Sequence, residues 1–240
     1  MGGPGTVFCG DCLNPVSGFA AMGDRSIDVV ITDPPYTDHV HSKQRRKKAG
    51  GIDDADIDFS AINADGVDLI GGHIGRVVKR WAIVFCAIEQ SQQWAAAIEA
   101  GGAGYIRTML WIKKTFTPQF AGDRPAQGYE AAVLAHPKGR KRWNGGGKRG
   151  VFFHGLDEKA ARTGHQTQKP QSLMRELIQL FSDPGELIAD PFAGSGSTGV
   201  AAIAEGRRFI GWEKDPHWAE VAQARIDGRG VADPKQPTLF

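Results

Sequence analysis

Cysteine is scarce: three in 240 residues, an odd number that cannot form a disulfide framework. Cys9 and Cys12 make a C-x-x-C pair, yet a structural zinc site takes four ligands and only Cys86 remains, so no metal is expected. Long apolar runs are missing too. The longest, Trp81 to Ile88, falls far short of the roughly 20 residues a membrane-spanning helix needs. The N-terminus shows no basic start followed by an apolar core, so no secretory signal is expected and the cytoplasm is the default compartment. Charge of one sign is also lacking. The 29 Lys and Arg residues against 27 Asp and Glu leave a net +2, which identifies no partner. What is present, 41% hydrophobic and 23% charged residues, fits a globular chain of one domain with a real core. No internal repeat is visible.

The distribution of charge says more than its sum. Lys43 to Lys48 is a basic run, and 137–150 carries Lys138, Arg140, Lys141, Arg142, Lys148 and Arg149 around Trp143 with no acidic residue. Lys43, Arg45 and Arg46 in one run, and Lys138, Arg140 and Arg142 beside Trp143 in the other, are therefore candidate phosphate contacts. A solvated loop fits either run as well.

Read in order, short apolar runs alternate with helical patterns. Thr6-Val7-Phe8 is a candidate strand, Leu13 to Met22 is weakly helical, and Asp28 to Thr32 reads as a buried strand. Residues 37–58, basic and then acidic, form a long loop placed to act as a flap. Residues 62–80 have helical spacing, but Gly66, Gly71, Gly72 and Gly75 predict irregularity. Ala82 to Cys86 is a strand, and a helix capped by Ser91 follows, ended by Gly101-Gly102. Strands are expected at Tyr105–Ile112 and Glu130–Ala135, with 151–165 irregular. Pro170 starts an amphipathic helix. Glu186–Asp190 and Arg208–Trp212 read as strands, with helices over Ser197–Glu205 and from Asp215-Pro216 to Ile226.

Two stretches carry chemistry. The strand at 28–32 runs into Asp33-Pro34-Pro35-Tyr36, where the prolines stop the ladder. A carboxylate and a nearby carbonyl can both accept from one exocyclic amine, while a ring stacks on the base that carries it, worth roughly 1–3 kcal/mol. Taken alone, the tetrapeptide also fits an ordinary strand-capping turn. The second stretch is Asp190-Pro191-Phe192-Ala193-Gly194-Ser195-Gly196-Ser197-Thr198-Gly199, between a strand and a helix. Its glycines admit a close ligand and the helix N-terminus favours a negative group. Glu213 closes the next strand, where a carboxylate can grip a ribose diol. Together these describe an adenosine-containing cofactor on a Rossmann-type half. Gly194-x-Gly196-x-x-Gly199 also satisfies the dinucleotide fingerprint, so a nicotinamide-dependent oxidoreductase is the rival. That rival leaves the Asp-Pro-Pro-Tyr turn unused and places its loop about 50 residues from the end of the chain.

Asp33-Pro34-Pro35-Tyr36, then His165-Gln166-Thr167-Gln168-Lys169-Pro170, then Asp190 to Thr198, in that order, closely resembles the beta group of exocyclic-amine (N6-adenine/N4-cytosine) DNA methyltransferases. The resemblance implies an α/β, Rossmann-like S-adenosylmethionine-dependent fold. It implies a seven-stranded, mostly parallel sheet with one antiparallel strand and a circularly permuted motif order, catalytic motif before cofactor loop. The implied cofactor is S-adenosylmethionine. Phe192, Gly194 and Gly196 would contact it within a loop that includes Asp190, Ser195 and Thr198; Glu213 would hold its ribose and Asp11 its adenine. Thr167 and Lys169 would lie near its methionine end. Asp33 and the Pro34 carbonyl would hold the target amine in the turn that Pro35 stiffens, with Tyr36 stacked on a flipped-out base. Adenine is favoured over cytosine because Asp, rather than Ser, begins the tetrapeptide in most adenine enzymes of the group. A cytosine C5 enzyme would need a nucleophilic Cys, commonly after Pro, and no Pro-Cys occurs.

The expected organisation is one catalytic domain over 1–226, a small target-recognition region at about 113–164, and a tail over 227–240. So short a recognition region implies a short recognition sequence or relaxed specificity. The tail's Gln236-Pro237-Thr238-Leu239-Phe240 is similar to the Gln-x-x-Leu-Phe peptide by which many bacterial proteins dock on the replication sliding clamp. DNA is the implied partner, a homodimer is common in the family, and no membrane association is expected. A DNA-binding protein with a degenerate methyltransferase fold is the non-enzymatic alternative; intact Asp33, Tyr36, Gly194 and Glu213 argue against it.

Overall fold

The computed structural model describes residues 4–35, 62–114, 122–155 and 168–229. Its eight strands are β1 (Gly5–Cys9), β2 (Ile27–Thr32), β3 (Val78–Cys86), β4 (Ala103–Lys113), β5 (Tyr129–Pro137), β6 (Val151–His154), β7 (Leu187–Asp190) and β8 (Arg208–Glu213). They form one sheet in the order β1-β8-β7-β2-β3-β5-β4-β6. Every adjacent pair is parallel except the two made by β5. The C-terminal ends of seven strands therefore share one edge of the sheet, and β5 brings its beginning there. That edge is where open α/β sheets bind ligands.

Among the described residues five helices cover the sheet: α1 (Ala64–Val77), α2 (Ser91–Ala100), α3 (Gln171–Phe181), α4 (Ser197–Ala204) and α5 (Pro216–Ile226). Alternation along β3 feeds two cores. Trp81, Ile83 and Phe85 pack with Leu173, Leu177 and Phe181 of α3, while Ala82, Val84 and Cys86 pack with Ile70 and Ile74 of α1 and Trp94 and Ile98 of α2. A period of two in the strand thus fixes a helix layer on each face. Among the described residues no helix is long and apolar enough to cross a membrane.

The α/β class and the mostly parallel sheet match expectation, but several details differ. The sheet has eight strands, not seven, because Val151–His154, expected to be irregular, pairs with Leu110–Lys113 of β4. Leu13–Met22 is not helical apart from a short 3-10 turn at Phe19–Ala21. The Asn14 side chain accepts from the N–H groups of Val16 and Ser17, a local turn that competes with a helix. Ser91 is the first residue of α2 rather than its cap; its hydroxyl donates to the Ile88 carbonyl. Two strands, β5 and β6, lie inside the described part of the expected recognition region.

The α1 glycines do not break the helix. Asn63 caps it by accepting from Gly66 N–H. Gly71 and Gly75 face α2, where an added Cβ would lie 2.4 Å from the Ala97 Cβ or 2.1 Å from the Ile98 carbonyl oxygen. They are the contact by which α1 and α2 approach. At Gly72 an added Cβ meets nothing within 4 Å. Gly75→Ala is expected to destabilise the fold by about 1–3 kcal/mol by overpacking. Gly72→Ala, one turn position away, should stabilise it by about 0.5–1 kcal/mol. Urea unfolding of the two variants checks the contrast.

Candidate active site

The turn that begins at Asp33 and the glycine loop meet through Asp190. Asp190 ends β7 beside β2 and is buried. One carboxylate oxygen accepts from Thr32 Oγ1 at 2.7 Å and from Phe192 N–H at 3.0 Å; the other accepts from Thr198 Oγ1 at 2.6 Å. Thr32 is the last residue of β2 and holds Asp33 next to it in sequence. The side chains of Asp190 and Thr198 therefore shape the loop from inside rather than face a ligand. Ser195 is likewise buried and accepts from Arg225 of α5 at 3.2 Å. Burial pushes the Asp190 carboxyl up to about 6, against the hydrogen bonds that pull it down, and the neighbouring Asp33 adds to the rise.

The loop itself is shaped for close approach. Gly194 and Gly196 have φ of 51° and 81°, a left-handed conformation that favours glycine. Gly196 sits at the N-cap of α4, where an added Cβ would come 3.0 Å from Ala222 of α5. Gly199 lies in α4 against Phe209 and Ile226, so the third glycine of the pattern serves helix–strand packing. Glu213 ends β8, and its two oxygens accept from Gly194 N–H at 2.8 Å and Asp215 N–H at 2.9 Å. Burial raises its carboxyl above the usual range. A carboxylate can accept about four hydrogen bonds, so Glu213 keeps acceptor capacity, which suits a ribose hydroxyl. The Cys9↔Glu213 register of β1 and β8 puts Asp11 beyond the next strand end, with Gly10 N–H donating to the Glu213 carbonyl at 2.8 Å. Two carboxylates flanking a glycine loop and a helix N-terminus fit an adenosine-containing cofactor.

Asp33 and the buried Pro34 follow β2 at the same edge, with Pro35 beyond them. Asp33 is paired with the ammonium of Lys169. That ammonium also lies 3.0 Å from Glu130 Oε2, and 5.1 Å from the centre of the Phe85 ring. Glu130 Oε1 lies 2.7 Å from Lys113 Nζ. Burial alone would raise the Glu130 carboxyl, but the ammoniums of Lys169 and Lys113 outweigh it and hold it at about 2. Burial alone would discharge Lys169, but Asp33 and Glu130 outweigh it and keep its ammonium held above the ordinary lysine range. Lys169, expected near the methionine end of a cofactor, thus has its charge engaged by the catalytic turn. Glu130, Lys113 and Thr32 were not anticipated; the only hint is one acid heading the apolar run Ala131–Ala135.

The remaining expectations divide. Tyr36, Thr167, Lys43, Arg45, Arg46, the loop at 37–58 and the tail peptide Gln236–Phe240 lie outside the described residues. Lys138, Arg140, Arg142 and Trp143 follow β5, which ends at the edge opposite Asp33. The structure does not bring them to the site, and Trp143 is a packing residue there. Its ring lies 4.8 Å from Phe181, and its N–H donates to Gly146 O at 2.8 Å. The Arg142 carbonyl accepts from Trp81 Nε1 at 2.7 Å, and its guanidinium pairs with Asp183. The segment closes the far end of α3. Cys9, Cys12 and Cys86 are free, and among the described residues no cluster of three or more His, Cys, Asp or Glu gathers that could hold a metal.

A family model described as DNA methylase matches residues 27–224, most of the chain. This chain belongs to the N6/N4 DNA methylase family. The DNA methylase family depends on S-adenosylmethionine, and membership removes the nicotinamide reading. A putative methylase, YubD of Escherichia coli K12, is 29% identical over 232 residues, covering 90% of this chain and 88% of that protein. The solved M1.HpyAVI–S-adenosylmethionine complex superposes with a TM-score of 0.69 at 24% identity, over 92% of this chain and 99% of that one. The cytosine-N4-specific PvuII DNA methyltransferase superposes at 0.72 with 16% identity, over 95% and 88%. At these identities the two solved structures speak to the fold.

Asp190 generates a pH-dependent prediction. Its folded carboxyl, near 6, holds a proton more tightly than an unfolded one near 4. Its contribution to stability is therefore fully present below about pH 4 and lost as pH rises through 6. Asp190→Asn cannot titrate. The stability of the parent relative to this variant should increase on going from pH 7 to pH 4, by an amount on the order of 2–3 kcal/mol. Urea unfolding across that range is the check, and a pH-independent difference would refute it.

Proposed function

We propose that this DNA methyltransferase transfers the methyl group of S-adenosylmethionine to the N6 amine of adenine in DNA. The observation that carries the reading is Asp33, held by Lys169 at the strand edge that also presents the Gly194 loop and Glu213. We assign Glu213 to the cofactor's ribose, Asp11 to its adenine, and Phe192, Gly194 and Gly196 to the wall beside it. Bound there, the cofactor supplies an electrophilic methyl group.

The chain's own residues do the positioning. The target base leaves the duplex at a cost of a few kcal/mol. The amine nitrogen is a poor nucleophile because its lone pair is shared with the ring. Asp33 and the Pro34 carbonyl accept its two N–H groups, favour a pyramidal nitrogen and aim the lone pair. As the N–C bond forms and the methyl's bond to the cofactor sulfur would break, its electron pair staying on sulfur, positive charge appears on that nitrogen, where the Asp33 carboxylate stabilises it. One N–H proton then leaves to water. No enzyme nucleophile is needed, and much of the acceleration is orientation. Asp at the head of the tetrapeptide favours adenine by resemblance to that branch of the family. The N4 amine of cytosine presents the same two donors and is the second reading.

Pro35, Lys114, Gly155 and Gln168 all lie on the catalytic edge and border the segments 36–61, 115–121 and 156–167. We therefore assign phosphate contact to Lys43, Arg45 and Arg46 of the first of these, and not to the Arg142 segment. The Gln236–Phe240 peptide is proposed to dock on a sliding clamp; clamp binding that survives deletion of 236–240 would end that idea.

The test is methyl transfer from labelled S-adenosylmethionine to unmethylated mixed-sequence DNA, with nucleosides identified by mass and Asp33→Ala in parallel. N6-methyladenine from the parent alone is expected, with Asp33→Ala lowering the rate at least about a hundredfold. N4-methylcytosine would overturn the choice of base. Bound cofactor without methylated DNA would overturn the enzymatic reading.

A further inference from the structure

Four charges of alternating sign run back from the reacting centre: Asp33 after β2, Lys169 before α3, Glu130 on β5 and Lys113 at the end of β4. The inner pair is the more enclosed. The side chains of Lys169 and Glu130 are 8% and 15% exposed, against 24% for both Asp33 and Lys113. Buried ion pairs are costly to assemble and are weak devices for stability alone. A row of four that ends on the carboxylate facing the substrate calls for another account.

Lys169 alone would weaken Asp33. An ammonium beside a carboxylate cancels the negative potential that should meet the positive charge growing on the amine. Glu130 competes for the same ammonium from its other side and returns that potential to Asp33. Lys113 limits how far Glu130 can do so. We propose that Glu130 is a positioning residue for methyl transfer, acting through Lys169 to set the strength of Asp33 as an acceptor, with Lys113 as its counterweight. The inference rests on the role given to Asp33 above.

Among the described residues, Asp190 on β7 and Cys86 on β3 both feel Asp33, Glu89 lies beyond Cys86, and His154 of β6 pairs in register with Lys113. Burial pushes the Cys86 thiol up to about 12, so it stays neutral. None of these lies between Glu130 and Lys169.

Signs follow from charge. Glu130→Gln removes a negative group, so Asp33 holds a proton less tightly. Lys113→Met removes a positive group and acts the other way. Glu130→Gln should lower kcat about tenfold with KM for DNA and cofactor within about twofold, because the lost interaction is made in the transition state. Its acid limb in the kcat–pH profile should move to lower pH by about half a unit or more. The limb of Lys113→Met should move to higher pH. The double variant, which removes one charge of each sign, should return the limb towards the parent.

A structural role for Glu130 would reduce the active fraction, scaling every point of the profile alike. A 13C-carboxyl titration of Asp33 by NMR in the same three proteins reads the shift directly, whether or not turnover is high. Opposite displacements in the two single variants, with recovery in the double, support the inference. Unmoved limbs and an unmoved Asp33 titration overturn it while leaving the function intact. An active Asp33→Ala enzyme overturns both.

Discussion

One buried carboxylate ties the two halves of the site together. Asp190 accepts from the last residue of β2, from the first turn of α4 and from the loop that leads from β7 into α4. Residues 158 positions apart in the chain thereby become neighbours. The distance between the glycine loop and the Asp33 turn is set by three hydrogen bonds inside the protein. A methyl transfer that depends on alignment needs this, since a displacement of about 1 Å can cost on the order of a hundredfold in rate. The burial that makes these bonds strong also makes the ionised carboxylate expensive.

The sheet supplies the second constraint. Parallel strands deliver Asp11, Asp33, Asp190 and Glu213 to one edge, each at or just after a strand end. Four acids at one edge would repel if all faced solvent at the same point. The fold separates them: Asp190 is sealed by hydroxyls, Glu213 is held by backbone N–H groups, and Asp33 is matched to Lys169. Each of these three carboxylates thus has a distinct environment.

What was legible in the sequence is what is local in the chain. The Asp33-Pro34-Pro35 turn, the left-handed glycines at 194 and 196, the acid ending β8 and the amphipathic α3 all write their reasons within a few residues. Glu130 and Lys113 do not. Their partnership crosses antiparallel strands and reaches Lys169 some forty positions on, so only the topology reveals it. Trp143 shows the opposite failure. Arginines and lysines around an aromatic ring look the same in one dimension whether they meet phosphate or plug the end of a helix. Here the ring packs on Phe181, and the main chain is bound by Trp81. The α1 glycines look like weakness in a helix because the close face of α2 is invisible from a periodicity.

The reversed strand has a consequence for how such an enzyme diversifies. β5 runs against its neighbours, so its opening residues, rather than its last ones, stand at the catalytic edge. Glu130 is placed by its pairing with Trp111 of β4, not by the length of chain that precedes it. The connection from Lys113 to Tyr129 can therefore be lengthened, shortened or replaced while the acid stays fixed. At that edge the Lys113–Glu130 pair is held by the strand register, so a change in the connecting chain leaves the spacing of the two charges alone.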